Sequence, residues 1–119
     1  MSGGIVQNQV WDGSSWVPMA GNSSGLVQAK ATTGVSTTVG GSASSVTLLA
    51  SNTARKAASI YNDSTAILYV KFGATASTTS YKVQLGPNEY FEFPQPCYSG
   101  IVDGIWASAT GNARISEES

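Results

Sequence analysis

Apolar and polar positions alternate with a period of two over most of the second half of the chain. The clearest run is 66–72, where Leu68, Val70 and Phe72 share one parity and Ile67, Tyr69 and Lys71 the other. Just before it, Ser59-Ile60-Tyr61 ends another β-rich run, and Asn62-Asp63-Ser64-Thr65 reads as the turn of a hairpin. Val46-Thr47-Leu48-Leu49, the alternating Tyr81, Val83 and Leu85, and Phe91 with Phe93 predict further strands. So do Ile101-Val102, Gly104-Ile105-Trp106-Ala107-Ser108 and Ala113-Arg114-Ile115-Ser116. Turn chemistry separates them at Ser51-Asn52-Thr53, Gly86-Pro87-Asn88 and Thr110-Gly111-Asn112. No segment carries a 3.6-residue apolar period, so little or no helix is expected.

Seven or eight short strands at a spacing of about 8–12 residues predict an all-β fold: a single antiparallel β-sandwich, jelly-roll-like, or a small barrel. The expected core is Val46, Leu48, Ile60, Leu68, Val70, Phe72, Tyr81, Val83, Leu85, Phe91, Phe93, Ile105, Ala107 and Ile115.

The first 45 residues differ in character. Residues 1–19 hold a hairpin signal, with Asp12-Gly13 at the turn and Trp11 and Trp16 flanking it, closed by Pro18. Residues 20–45 are rich in Gly, Ser, Ala and Thr and contain no aromatic residue. That composition predicts an extended N-terminal arm or linker, in which Leu26, Val27, Val35 and Val39 form strands if a neighbour supplies an edge. The competing reading is a pair of ordinary edge strands of the main domain. The compact domain is expected over 46–119.

Composition narrows the function classes. Only 11% of residues are charged and the net charge is −1. The six Lys and Arg are scattered, with no basic patch to neutralise phosphates, so no nucleic-acid partner is expected. No apolar run reaches about 18 residues, so no membrane span is expected. The N-terminus lacks the basic region and apolar core of a signal peptide. A single cysteine, Cys97, allows no internal disulfide, which fits either folding in a reducing cytosol or a fold whose stability needs no disulfide.

Candidate chemistry is sparse. There is no histidine, which removes Ser-His-Asp and Cys-His catalysis and the commonest metal ligand. Asn62, Asp63 and Asp103 lack the spacing of a calcium loop, and no cofactor is expected. The positive signal is aromatic: Tyr61, Tyr69, Tyr90, Tyr98 and Trp106 fall on outward parities or in corners. With Trp11, Trp16, Leu26 and Val27 they are the candidate interface residues, because exposed Tyr and Trp serve protein interfaces and stack on sugars.

Three stretches carry a resemblance: residues 55–64 (RKAASIYNDS), 68–73 (LYVKFG) and 80–85 (SYKVQL). The ending over 104–115 belongs to the same pattern. Together they resemble a module of virion structural proteins in tailed bacteriophages, and residues 10–17 are similar to leader segments in such proteins. The resemblance implies a non-enzymatic capsid decoration (cement) protein. Such a protein binds the major capsid protein on the outside of the head, is often a homotrimer, and is made in the host bacterial cytoplasm. A tail, neck or fibre-associated subunit, or a host-glycan-binding module, are the alternatives.

Overall fold

A computed structural model describes residues 30–119. The described chain forms eight strands and no helix: β1 Gly34–Gly40, β2 Val46–Leu49, β3 Ala57–Asp63, β4 Leu68–Phe72, β5 Val83–Leu85, β6 Tyr90–Glu92, β7 Val102–Trp106 and β8 Asn112–Glu118. They build two antiparallel four-stranded sheets, ordered β1-β8-β3-β6 and β2-β7-β4-β5. The sheets face each other across one apolar layer, with Ile60, Ala113 and Ile115 from the first and Leu48, Leu68, Val70, Val102 and Trp106 from the second. Each fully buried Leu, Ile or Val in such a layer contributes about 1.5–3 kcal/mol.

Three expectations need correction. Residues 57–73 are not a hairpin. β3 pairs with β8 and β6, whereas β4 pairs with β7 and β5, so the connection arches from one sheet to the other. The physical reason is the parity itself. A hairpin would set Ile60 and Leu68 side by side on one sheet and leave that face needing a cover. The arch lays the two apolar faces against each other.

The second correction concerns β7. Its inward residues are Val102, Gly104 and Trp106, not Ile105 and Ala107. Ile105 is half-buried and Ala107 exposed. Inward placement of Trp106 buries the largest side chain of the strand. Gly104 makes room for it to happen: a Cβ there would come within 2.7 Å of Leu48 Cδ1. Tyr81, also expected inside, precedes the short β5 and is 41% exposed.

The third concerns the predicted arm. Its residues 34–40 are β1, an edge strand in unbroken register with β8. Val39 packs against the core, Ser42 O accepts from the Trp106 amide, and Ser45 Oγ accepts from the Ala76 amide. The ladder of β8 supplies the edge that these weak β formers lack alone. The hairpin expected over 1–19, and residues 20–29 of the arm, lie outside the described residues.

Buried polar groups pin both ends of β3. At its C-terminal end Asn62 is fully buried. Its Nδ2 donates to Ala66 O at 2.8 Å, Leu85 O at 2.9 Å and Gly86 O at 3.0 Å, and its Oδ1 accepts from Ser64 Oγ at 2.7 Å. The side chain thereby ties the first sheet to β5 of the second. Beyond the N-terminal end of β3, the side chain of Arg55 is fully buried. Its Nε meets Glu117 Oε2 at 2.7 Å, Nη1 donates to Tyr98 O and Gly100 O, and Nη2 donates to Ala50 O. The guanidinium also lies 5.9 Å from the Phe93 ring centroid, beside a cluster in which Tyr98 stacks flat on Phe72 at 4.5 Å.

Asn62→Ala strips the carbonyls of Ala66 and Leu85 of a donor inside the core. A loss of about 2–4 kcal/mol is expected, read as a lowered midpoint in urea unfolding at unchanged m-value. A loss below about 0.5 kcal/mol contradicts the clamp.

Candidate functional site

Sheet parity decides which face is open. On the outer face of the second sheet, Lys71 Nζ donates to Thr75 O and Ser80 Oγ and holds the 73–80 loop against β4. Ala76 and Asp103 are buried there. The outer face of the first sheet has no such cover among the described residues. It presents a shallow groove of about 340 Å³ lined by Ser36 and Thr38 of β1, Arg114 and Ser116 of β8, and Ser59 and Tyr61 of β3.

Each lining side chain follows from strand alternation. Tyr61 stands opposite Arg114 on one side and Tyr90 on the other. Its hydroxyl donates to Asn88 Oδ1 at 2.8 Å. Asn88 occupies the left-handed region at φ 64°, which asparagine tolerates, and so closes the Gly86-Pro87-Asn88 turn. Arg114 Nε pairs with Asp63 Oδ2 at 2.9 Å, and Nη1 donates to Thr38 Oγ1 at 3.3 Å. Both charged side chains are about half exposed, so solvent screens the pair and its contribution to stability is small. With the Thr38 bond it ties the guanidinium to both neighbouring strands. Ser116 Oγ donates to Glu118 Oε2. The surface is therefore a row of hydroxyls with one neutralised guanidinium and a tyrosine at its side.

The candidate interface residues scatter. Tyr61 and Tyr90 are adjacent on this face, with Tyr90 59% exposed. Tyr69 lies on the opposite outer face, half-buried, its ring 5.0 Å from that of Tyr81. Because β3 and β4 occupy different sheets, Tyr61 and Tyr69 do not face each other. Tyr98, placed outward by its corner position, is half-buried against Phe72 at the edge of the core. Trp106, placed outward by parity, is 1% exposed, and its Nε1 has no acceptor among the described residues. Trp11, Trp16, Leu26 and Val27 lie outside the described residues.

Asn62, Asp63 and Asp103 do not converge. Asn62 points inward, Asp63 outward to Arg114, and Asp103 belongs to the other sheet. Among the described residues no three His, Cys, Asp or Glu side chains gather as a metal site would require. Cys97 is half-buried near the Arg55 cluster. Burial pushes its thiol pKa up, Arg55 pulls it down, and Glu117 and Glu118 push it up again. The groove residues Ser36, Thr38, Ser59 and Ser116 were missed in the sequence because a serine or threonine on a strand has no distinguishing neighbour pattern. Arg55 was missed because nothing local marks an arginine as buried.

No protein-family model, curated protein or solved structure matches this chain.

The contribution of the Arg55 cluster to stability can be weighed directly. Arg55→Ala leaves Glu117 unpaired and three carbonyls without their donor, so a loss of about 3–4 kcal/mol is expected in chemical unfolding. Glu117→Gln keeps those three bonds and removes a partner that is itself partly solvated, so about 1 kcal/mol is expected. Equal losses in the two variants contradict this division of labour.

Proposed function

We propose that the protein is a non-enzymatic structural subunit of a tailed-bacteriophage particle, binding the major capsid protein on the outside of the head and strengthening the shell as a decoration protein. The observation that carries the reading is the strand order. The order β1-β8-β3-β6 and β2-β7-β4-β5 in two antiparallel sheets supports a jelly-roll reading, in which two Greek keys interleave. This architecture recurs in viral capsid and lectin domains. The motifs over 55–64, 68–73, 80–85 and 104–115, which resemble phage virion modules, support it independently. The low charge supports it too, because weakly repelling surfaces tolerate dense arrays of copies. In such an array each copy adds a small interface, and many copies around a closed shell sum to a large stabilisation. The resemblance implies a homotrimer, with the Gly/Ser/Thr-rich arm as the anchor to the head. A tail, neck or fibre position uses the same build with fewer copies.

The groove on the first sheet favours a second reading, a host-glycan-binding module. Hydroxyls, a guanidinium and a tyrosine are groups that recognise sugars.

Gold labelling of purified particles tests the first reading. Label distributed over the head in many copies is expected, and label confined to the tail overturns the decoration role. A chain lacking residues 2–29 keeps all eight strands. It is expected to lose head binding while remaining folded by circular dichroism; retained binding by the folded chain moves the anchor to the domain.

The second reading is tested on a glycan array with the wild-type chain and Tyr61→Ala. A sugar bound by the wild type and at least about tenfold more weakly by the variant supports it. Equal signals from both, or none from either, discard it.

A further inference from the structure

The eight strands leave four sheet edges, and they are not alike. β5 and β6 are three residues long; Lys82 and Pro87 flank the first, while Glu92 and Pro94 close the second. β2 has four residues and a register shift between Thr47 and Leu49. Short strands, charges, prolines and irregularities are the usual protections against edge-to-edge pairing. β1 has none of them. It is seven residues long, uncharged, free of proline and unbroken in register against β8. Among the described residues its other edge meets no strand.

The hydrogen-bond phase of β1 says which groups are offered. Thr33 and Ser119 exchange both backbone bonds, and Gly41 donates to Gly111. Odd-numbered residues from Thr33 to Gly41 therefore bond to β8. The N–H and C=O of Gly34, Ser36, Thr38 and Gly40 point to the free edge.

The sequence of that edge is nearly palindromic. Gly-Val-Ser-Thr-Thr-Val-Gly reads almost the same in both directions about Thr37. An antiparallel strand of the same sequence, centred there, sets Gly34 against Gly40, Val35 against Val39 and Ser36 against Thr38. The pairs that exchange hydrogen bonds in this register, 34 with 40 and 36 with 38, are the ones whose groups are free. A slip of one residue reverses the phase and loses the bonds. A slip of two keeps the phase but shortens the ladder and sets Val35 against Thr37. Matched valines and matched hydroxyls are favourable cross-strand pairs, and no like charges meet. Val35, 47% exposed on the core-facing parity of β1, gains an apolar neighbour.

We propose that β1 is a self-pairing edge: two copies of the chain join antiparallel through β1 about a two-fold axis at Thr37, making one continuous eight-stranded sheet. The interface is isologous, so the same patch serves both copies and the assembly closes as a pair. The axis runs perpendicular to the sheet, so the grooves beside Ser36 and Thr38 of both copies open on the same side. This pairing belongs to the isolated protein and requires neither a capsid nor a glycan.

The test uses the full chain with Thr37→Lys, Thr37→Glu and an equimolar mixture of the two, at about 100 μM, by native mass spectrometry and light scattering. Thr37 is exposed, so the fold is kept, and unchanged melting temperatures verify that. The wild type is expected as a dimer. Each variant alone is expected as a monomer, because two like charges face each other across the axis, and the mixture is expected to recover the dimer. A wild-type monomer overturns the proposal, as does a trimer, or a dimer that both variants retain. A wild-type monomer whose Ser36 and Thr38 amides resist hydrogen exchange also overturns it, and assigns the edge to another part of the same chain.

Discussion

The side chain of Asn62 is the fixed point of this fold. It sits at the end of β3 in the first sheet, fully buried, and donates to carbonyls around β5 of the second. A buried amide is costly unless every group finds a partner, and here the cost of misplacing it is what selects one arrangement. The backbone of Asn62 joins in, donating to Glu89 O and accepting from Asn88. One residue thus sets the angle at which the chain leaves β3, the position of the 86–89 turn and the distance between the sheets. Arg55 does the equivalent at the opposite end of β3, where it gathers the carbonyls of residues 50, 98 and 100 and the carboxylate of Glu117.

Between these clamps the apolar layer supplies the driving force but little specificity. Leu68, Val70, Ile60 and Ile115 would satisfy a sheet of many strand orders. The polar ends exclude most of them, because a different order strands the amide of Asn62 or the guanidinium of Arg55 without partners. Stability and uniqueness therefore come from different residues. The same division frees the outer faces. One is covered by the loop that Lys71 holds, and the other, among the described residues, is left to the hydroxyl groove and to the edge of β1.

The surfaces left accessible among the described residues accordingly offer backbone and hydroxyl groups more than charge. The groove offers Ser and Thr oxygens with a guanidinium already neutralised by Asp63. The β1 edge offers main-chain groups. Neither depends strongly on ionic strength, unlike a charged interface.

The period-two alternation of the chain was sufficient to determine an all-β class and most strand positions, since Leu68, Val70 and Phe72 must share a face in any strand. It also determined about half of the buried core, including Leu48, Ile60, Leu68, Val70, Leu85, Phe93 and Ile115, but not Val102, Trp106 or Ala113. It did not determine how the strands pair, because pairing is a contest between distant segments that local pattern does not record: residues 57–73 satisfy a hairpin and an arch equally well, and only the need to face two apolar sheets together selects the arch. The inward parity of Val102, Gly104 and Trp106 is permitted because Gly104 carries no Cβ to meet Leu48, and β1 is recruited by the edge that β8 offers. The candidate site was legible only as two tyrosines. Its hydroxyls come from three strands far apart in sequence, and the tertiary fold alone brings them onto one face.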